Sequence, residues 1–507
     1  MSKTVAETHP YPEQDIRVLP YAGDLESLYG APRGWLFERW PSEQLTYLSF
    51  FLKELGCKTV LVESHYIDKD YLLDLSIYYS RSLSDYPNYC SRIHFFREAF
   101  DQERWKSLVN AANQGNAGET TRFLRQAYLG FTVQRPLDRS PVGRTVLPPI
   151  HEEASHFGAI REYKAHLAGF ELSIRGLAFQ QQDQGVSACA TTALWSALNC
   201  VASKEGLPGM SPAEITQAAS RYYLAGGRPL PSEGLNIQQI CEATRAAELS
   251  PVIHSGTDLA QDVAQLHGYV RSGFPAVLAI QPFEPTIVPP QERGSKHAVC
   301  VVGLKLGEVS PQTEADLSFR DGASETKALY VHDDRLGPYK IATLHKWTWK
   351  DKIRTSLVIK WADGTEDEAS ILEAIVVPLP SKIRLTIAKM RQLAIPVANA
   401  FGQLFNEFAG TVTFSCRYFL ATEYNAAAFE FGLSQDGIYE LNCKTALSRY
   451  VGVIEVSAAQ GPLLDILLDA TEAQPVARAI VRRRLLPAAR NPAVAAVARK
   501  LGTTFFA

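Results

Sequence analysis

The chain of 507 residues lacks any long uninterrupted apolar run. No stretch reaches the roughly 18 uncharged apolar residues that a membrane-spanning helix requires. The opening residues, MSKTVAETHPYPEQDIRVLP, lack the apolar core of a secretory signal. A strong charge bias is also missing, since the formal net charge of −3 predicts no general attraction to nucleic acid or anionic membranes. We therefore expect a cytoplasmic protein with no membrane span and no specific nucleic-acid partner.

Paired cysteines are absent as well. The eight cysteines are scattered, and none forms a CxxC pair. In a chain of this size, that spacing predicts reduced thiols rather than a disulfide framework or a structural zinc site. The one metal-like string, HEEASH at 151–156, spaces its histidines five residues apart, so on a helix they diverge by about 140°. The sequence predicts no metal and no organic cofactor.

The length predicts about two to three domains. Residues 1–150 mix helix and strand signals and form an N-terminal region of α/β type without a chemical motif. Residues 151–380 place helices first and antiparallel-looking strands later, which favours an α+β domain. Residues 381–507 form a C-terminal α+β region that ends in a basic Ala/Arg-rich tail.

One cysteine stands at the start of a helical pattern. In QQQDQGVSACATTALWSALN, residues 180–199, Ser187 is a good candidate for the N-cap, which would place Cys189 in the first helical turn. Free N–H groups and the helix dipole stabilise a thiolate there, and the thiolate is the nucleophilic form of cysteine. For a single cysteine the alternative is a buried, inert thiol, because cysteine is among the most buried residue types.

A histidine and two aspartates downstream could act with this cysteine. His297 opens the apolar strand in SKHAVCVVGLK, where strand alternation turns Cys300 to the opposite face and into the core. In ALYVHDDRLGPY a strand ends at Asp333 and Asp334, and alternation lets only one of the two face the His297 side. A carboxylate there would orient the imidazole as a general base. Taken singly, these residues could also be a half-buried imidazole and solvated turn aspartates.

The three segments together resemble the signatures of papain-like cysteine peptidases. They are most similar to the subgroup that contains the bacteriocin-leader (double-glycine) processing peptidases, over about residues 180–345. The resemblance implies a papain-like central domain, in which a cysteine-bearing helix packs on an antiparallel sheet that carries the histidine and aspartate. It also implies that Cys189 is the nucleophile, His297 the base and Asp333 the orienting carboxylate. The substrate would be a peptide or protein, cleaved at a peptide or isopeptide bond.

The glutamine and tryptophan depart from the family pattern. A glutamine before the cysteine would donate to the oxyanion beside the backbone N–H of Cys189. Gln184 lies five residues before Cys189 instead of the usual six and is the first choice, and Gln182, seven before, is the second. Trp195 follows the cysteine by six residues rather than one, which indicates helix packing. Asp333 matches the family register better than Asp334.

Two alternatives to peptide hydrolysis use the same residues. A transglutaminase-like or other acyltransferase would employ the triad with an amine in place of water as the acceptor. A non-catalytic papain-like module would use the cleft only to hold a peptide, and the flanking regions would then be the working parts.

The C-terminal tail has no acidic residue after Glu472, while it carries several basic ones: Arg478, Arg482, Arg483, Arg484, Arg490, Arg499 and Lys500. It could be a cationic amphipathic arm for nucleic acid, a membrane surface or an acidic partner. We favour a solvated helix whose charges pair with the acidic remainder of the chain, because two prolines interrupt any long amphipathic face.

Overall fold

The structure of the protein is a computed structural model. It describes residues 16–30, 42–83, 85–137, 139–183, 185–221, 228, 230–287, 289–309, 320–360, 367–404, 412–430, 435, 439–444, 446–458, 461–472 and 480–485. Among these residues the fold is a mixture of helices with mainly antiparallel sheets. No helix in the described ranges is long and apolar enough to cross a membrane.

The N-terminal region builds one antiparallel sheet flanked by helices. Its elements are β1 (Ile16–Pro20), α1 (Glu26–Gly30), α2 (Glu43–Glu54), β2 (Thr59–Tyr66), α3 (Lys69–Ile77), β3 (Cys90–Phe96), α4 (Gln102–Ala111), α5 (Ala117–Ala127), β4 (Tyr128–Gln134) and β5 (Val142–Val146). The five strands pair in chain order. Ser42, Asp68 and Asp101 cap α2, α3 and α4 by accepting a backbone N–H. Because neighbouring strands are antiparallel, this region is α+β instead of the expected α/β type.

The central region begins with a hairpin and a run of helices, followed by a larger sheet. Its elements are β6 (Ser155–His156), β7 (Arg161–Leu167), β8 (Phe170–Gly176), α6 (Cys189–Glu205), α7 (Pro212–Ala219), α8 (Ile237–Ala246), β9 (Leu249–Ser255), α9 (Leu259–Arg271), β10 (Ala276–Glu284), β11 (Gln291–Glu292), β12 (His297–Leu306), β13 (Arg320–Asp321), β14 (Thr326–Asp333), β15 (Gly337–Trp349), β16 (Lys352–Lys360) and β17 (Asp367–Pro380). The α+β class expected for this region agrees with its antiparallel sheet, but the expected helices-first order does not hold, because β6 and the β7–β8 hairpin precede α6.

Six strands of this sheet close on themselves. They pair in the order β10-β12-β14-β15-β16-β17, and β17 pairs again with β10, from Val277 opposite Val376 to Pro282 opposite Ser370. Closure gives each of these strands a neighbour on both sides, which removes exposed edges. The helix α6 packs against β10, β12 and β17. Its body is apolar and buried, so the helix is held rigidly by the strands on which it lies.

The antiparallel pairing of β12 with β14 decides where the site forms. β12 begins at His297 and β14 ends at Asp333, and in an antiparallel pair the start of one strand lies beside the end of the other. Residues 36 positions apart in the chain therefore meet at one edge of the sheet. The N-terminal end of α6 points to the same edge, since Cys189 and His297 line one cleft.

The C-terminal region forms a third sheet. Its elements are α10 (Ile387–Leu404), β18 (Thr413–Leu420), α11 (Ala421–Glu430), β19 (Tyr450–Ala458), β20 (Gly461–Asp469) and β21 (Ile480–Leu485). The strand order is β13-β18-β19-β20-β21, so β13 of the central region joins this sheet, parallel to β18. Buried apolar residues of all three regions belong to one contiguous cluster that extends from Val18 to Ala470.

Part of the basic tail is a strand rather than the expected helix. Residues 480–485 form β21, which pairs antiparallel with β20 from Leu464 opposite Leu485 to Leu468 opposite Ile480. The helix prediction is wrong here because backbone pairing covers the free edge of β20, which local periodicity cannot reveal. The remaining basic positions, Arg478, Arg490, Arg499 and Lys500, lie outside the described residues.

Candidate active site

Cys189 is the first residue of α6. The N-cap is Ala188, in an extended conformation and without a side-chain cap, so the prediction that Ser187 caps this helix is wrong. The Ser187 hydroxyl instead donates to Asp183 Oδ2 at 2.9 Å. Among the described residues no side chain caps α6, and the positive end of the helix dipole lies at the half-buried Cys189.

The loop before the cysteine is organised by one buried carboxylate. Asp183 Oδ1 accepts the backbone N–H groups of Gly185, Val186 and Ser187 at 2.8, 2.7 and 3.1 Å. Its Oδ2 lies 3.4 Å from Arg135 Nη1, and both side chains are almost fully buried. Position 183, six residues before the cysteine, therefore serves to shape the turn into α6.

The structure brings Cys189, His297 and Asp333 together. His297 is buried at the start of β12, and its Nε2 lies 3.0 Å from Asp333 Oδ1. Cys189 lines the same cleft as His297, and its side chain makes a small contribution to the raised pKa of that histidine. Because Nε2 faces Asp333, Nδ1 is the ring nitrogen left for a group on the cleft side. The cleft therefore holds a thiol, an imidazole and a carboxylate in the order that a nucleophile, a base and an orienting carboxylate would require.

Electrostatics keep the His297–Asp333 pair charged. Burial by itself lowers the pKa of His297, but the neighbouring carboxylates of Asp333 and Asp334 outweigh it and raise that pKa to about 10. Burial raises the pKa of Asp333, yet His297 and Arg335 overcome this and hold it well below its ordinary value. At neutral pH the geometry therefore favours an imidazolium bound to a carboxylate.

Arg335 is a site residue that sequence reasoning missed. Its backbone N–H donates to Asp333 Oδ1 at 2.9 Å, and its Nη2 donates to Asp333 Oδ2 at 3.2 Å. The same guanidinium binds Glu368 of β17, with Nη2 2.7 Å from Oε1. Arg335 thus neutralises Asp333 by contacting both of its carboxylate oxygens. The signal was its place two residues after Asp333 in the DDR string.

Asp334 also reaches His297, which corrects the expectation that only one aspartate would face it. The strand β14 ends at Asp333, so Asp334 lies in the turn, where strand alternation no longer applies. Its Oδ1 is 3.6 Å from His297 Nε2, compared with 3.0 Å for Asp333. Asp333 therefore makes the hydrogen bond, and Asp334 adds a second, slightly more distant carboxylate.

The glutamines occupy the stretch just before the cysteine. Gln182 is half-buried and lines the cleft beside Cys189. Gln184, the first choice for the oxyanion donor, lies outside the described residues. Within the described part, Gln182 and the backbone N–H at the start of α6 are the groups available to an oxyanion near Cys189.

The cleft itself is large and open to peptide-sized ligands. It has a volume of about 1340 Å³. The N-terminal region contributes Gln44, Arg139 and Ser140 to its wall, and these residues were also missed because nothing local in the sequence marks them. Gln44 Nε2 donates to the backbone oxygen of Asp334 at 2.9 Å, which ties α2 to the turn that carries the carboxylates.

Trp195 and Cys300, which the sequence pattern places outside the catalytic set, are core residues. Trp195 is fully buried, and its Nε1 donates to Asp70 Oδ2 at 3.0 Å. Asp70 is also paired with Arg144 at 2.7 Å. Cys300 is fully buried on β12. The predictions that Trp195 is packing and that Cys300 is core are confirmed.

A metal site is not favoured at the carboxylates. In the described part of the chain, His297, Asp333 and Asp334 are the group whose possible ligand atoms lie within 4.8 Å of one another. A cation there would meet the Arg335 guanidinium, which is already 3.2 Å from Asp333 Oδ2. Because the positive charge is supplied by Arg335 and the imidazolium, the donor set does not fit an added cation.

Comparison with protein-family models and with curated proteins finds no match to this chain.

Proposed function

We propose that this protein is a cysteine peptidase that cleaves a peptide or isopeptide bond through Cys189, His297 and Asp333. The single observation that carries the proposal is a helix-N-terminal cysteine that lines the same cleft as a buried imidazole, whose Nε2 is held at 3.0 Å by a buried carboxylate. A papain-like fold for the central region is part of the proposal. It is supported by the packing of α6 on β12, the strand that begins at the histidine and pairs antiparallel with the strand that ends at the aspartate.

In the proposed first half-reaction, His297 Nδ1 holds the proton of Cys189, and the thiolate sulfur attacks the carbonyl carbon of the substrate. The carbonyl electrons move onto oxygen, where the backbone N–H of Cys189 and a glutamine side chain donate to the oxyanion. As the tetrahedral intermediate collapses, the C–N bond breaks and the imidazolium gives its proton to the leaving amine.

In the second half-reaction, water attacks the thioester. Neutral His297 takes a proton from that water, the C–S bond breaks, and the acyl group leaves as a carboxylic acid while the cysteine regains its proton. Asp333, neutralised by Arg335, keeps the ring oriented and stabilises the imidazolium whenever it forms. No step requires a cofactor.

The proposal also includes a cellular compartment, the cytoplasm, and a substrate class, peptides or proteins. All eight cysteines are free thiols, which fits the reducing cytoplasm that we propose as the site of action. A cleft of about 1340 Å³ accommodates an extended segment of a peptide or protein substrate.

The test is alkylation of the native protein with iodoacetamide, followed by mapping of each modified cysteine by mass spectrometry. Cys443 is an exposed free thiol and sets the rate of an ordinary accessible cysteine. We expect Cys189 to react at least about tenfold faster than Cys443, because in the proposed mechanism the adjacent His297 ring takes up the thiol proton. His297→Ala should abolish this advantage, while the same change at exposed His345 should not.

Labelling of Cys189 no faster than Cys443 would remove the peptidase proposal and leave a non-catalytic peptide-binding cleft. Fast labelling that depends on His297, followed by incorporation of an added amine instead of hydrolysis of test peptides, would identify the acyltransferase alternative.

A further inference from the structure

Asp334 is a buried carboxylate that the triad does not use. Its residue is 3% exposed, and neither carboxylate oxygen accepts a hydrogen bond from another described residue. Burying an ionisable group without a hydrogen-bond partner costs folding free energy, so a buried carboxylate of this kind is a candidate for a functional role. The nearest cationic atom is His297 Nε2, 3.6 Å from Asp334 Oδ1.

The His297 ring is the charged group that lies beside the Asp334 carboxylate. The neighbouring Arg335 binds two other carboxylates, with its Nη2 3.2 Å from Asp333 Oδ2 and 2.7 Å from Glu368 Oε1. From α2, the amide of Gln44 binds the backbone oxygen of Asp334 rather than the carboxylate. Two carboxylates therefore act on one imidazole nitrogen, one through a hydrogen bond and one through space.

We propose that Asp334 is a positioning residue, a second carboxylate 3.6 Å from His297 Nε2 that extends the pH range over which the ring beside Cys189 stays protonated. The inference rests on the proposed function, since it assigns a role at the same site. It differs from the triad mechanism because Asp334 acts only through His297 and touches neither the substrate nor the sulfur.

Asp334 can support the His297 imidazolium only while its own carboxylate is charged. Burial raises the pKa of Asp334 to about 6, with Asp333 adding to the shift while His297 and Arg335 oppose it. Above about pH 6 the carboxylate is charged and supports the imidazolium, and below that pH it is protonated and gives no support. Removing the charge of Asp334 should therefore change the site above about pH 6 and leave it unchanged below.

The experiment compares alkylation of Cys189 by anionic iodoacetate and by neutral iodoacetamide from pH 5 to 11. The same sulfur attacks both reagents, so the ratio of the two rates reports the positive charge of the adjacent ring. In the wild type the ratio should fall as His297 loses its proton. In Asp334→Asn the midpoint of this fall should lie at least about one pH unit lower, with curves of the same shape below pH 6.

The controls separate charge from structure. Asn has the shape of Asp, and Asp334→Ser is a second neutral variant whose midpoint should also fall. Asp334→Glu retains the charge and should keep the midpoint near that of the wild type. The same Asp-to-Asn change at the exposed Asp351, in the turn between β15 and β16, should have no effect.

Fast labelling of Cys189 with equal midpoints in the wild type and both neutral variants would overturn the role of Asp334 while leaving the peptidase proposal intact. Labelling of Cys189 at the rate of Cys443 in the wild type would instead overturn the proposed function itself, and the inference with it.

Discussion

Asp183→Ala is the substitution whose consequence can be worked out most fully from the structure. The Asp183 carboxylate accepts three consecutive backbone N–H groups and the Ser187 hydroxyl, and it faces Arg135. These contacts shape the turn that delivers Cys189 to the cleft. The change therefore tests whether this turn is what positions the start of α6.

The magnitude follows from burial. The side chains of Asp183 and Arg135 are 2% and 3% exposed, so removing the carboxylate leaves a guanidinium inside the protein without its counter-charge. Breaking such a buried pair costs about 3–5 kcal/mol. Arg135 keeps hydrogen bonds to the backbone oxygens of Gln181 and Ser140, so we expect about 4 kcal/mol rather than the upper limit. Asp183→Asn retains one acceptor oxygen and should cost about half as much.

The measurements are the free energy of unfolding in urea and the rate of Cys189 alkylation. We expect both to fall in Asp183→Ala, with alkylation reduced about tenfold or more because the helix start is no longer held in place. Glu153→Ala, at an exposed position, is the control and should change stability by less than about 0.5 kcal/mol.

A double-mutant cycle isolates the ion pair. If Asp183 and Arg135 interact as the structure indicates, the Asp183→Ala/Arg135→Ala protein should be more stable than the sum of the two single losses predicts, by about 2 kcal/mol or more. A loss below about 1 kcal/mol in Asp183→Ala, together with an unchanged alkylation rate, would refute the argument that this carboxylate organises the approach to Cys189.

The remaining predictions concern pH, packing and the oxyanion. The pKa of His297 is raised from 6.5 to about 10, so the stability from its charged form is complete below pH 6.5 and is lost as pH rises through about 10. Urea unfolding should therefore show the wild type losing on the order of 4 kcal/mol more than His297→Gln between pH 7 and 10, and parallel curves would contradict this. Trp195→Phe removes the bond to Asp70 and should cost about 1–3 kcal/mol in unfolding free energy, with Cys189 alkylation unchanged. If Trp195→Phe instead strongly slows alkylation of Cys189, the assignment of Trp195 as a packing residue is wrong. Of Gln182→Ala and Gln184→Ala, the variant that lowers kcat about 100-fold while alkylation persists identifies the oxyanion donor, and wild-type kcat in both would exclude a side-chain donor.

The sequence by itself determined the local elements of the site. The apolar pattern after residue 188 predicts a helix beginning near Cys189, and α6 begins there. The apolar run after His297 predicts β12, and the turn residues after Asp333 mark the end of β14. These features depend on residues close together in the chain, where side-chain period and turn chemistry act directly.

The local sequence pattern gave wrong predictions where a contact with a residue distant in the chain determines the conformation. Ser187 has the chemistry of an N-cap, but its hydroxyl is bound by Asp183, whose position depends on Arg135 of the N-terminal region. The tail at 480–485 has no strand signal strong enough to predict β21, which exists because it pairs with β20. Propensity is a weak preference that tertiary contacts override.

Only the tertiary structure decided how the charges of the site are arranged. Asp333 makes the hydrogen bond to His297 because the strand ends there, while Asp334, in the turn, approaches the same nitrogen without a partner of its own. Arg335 balances Asp333, and Gln44 reaches the turn from 290 residues away. A sequence specifies which groups can carry charge, but their pKa values depend on distance and burial, which exist only after the chain has folded.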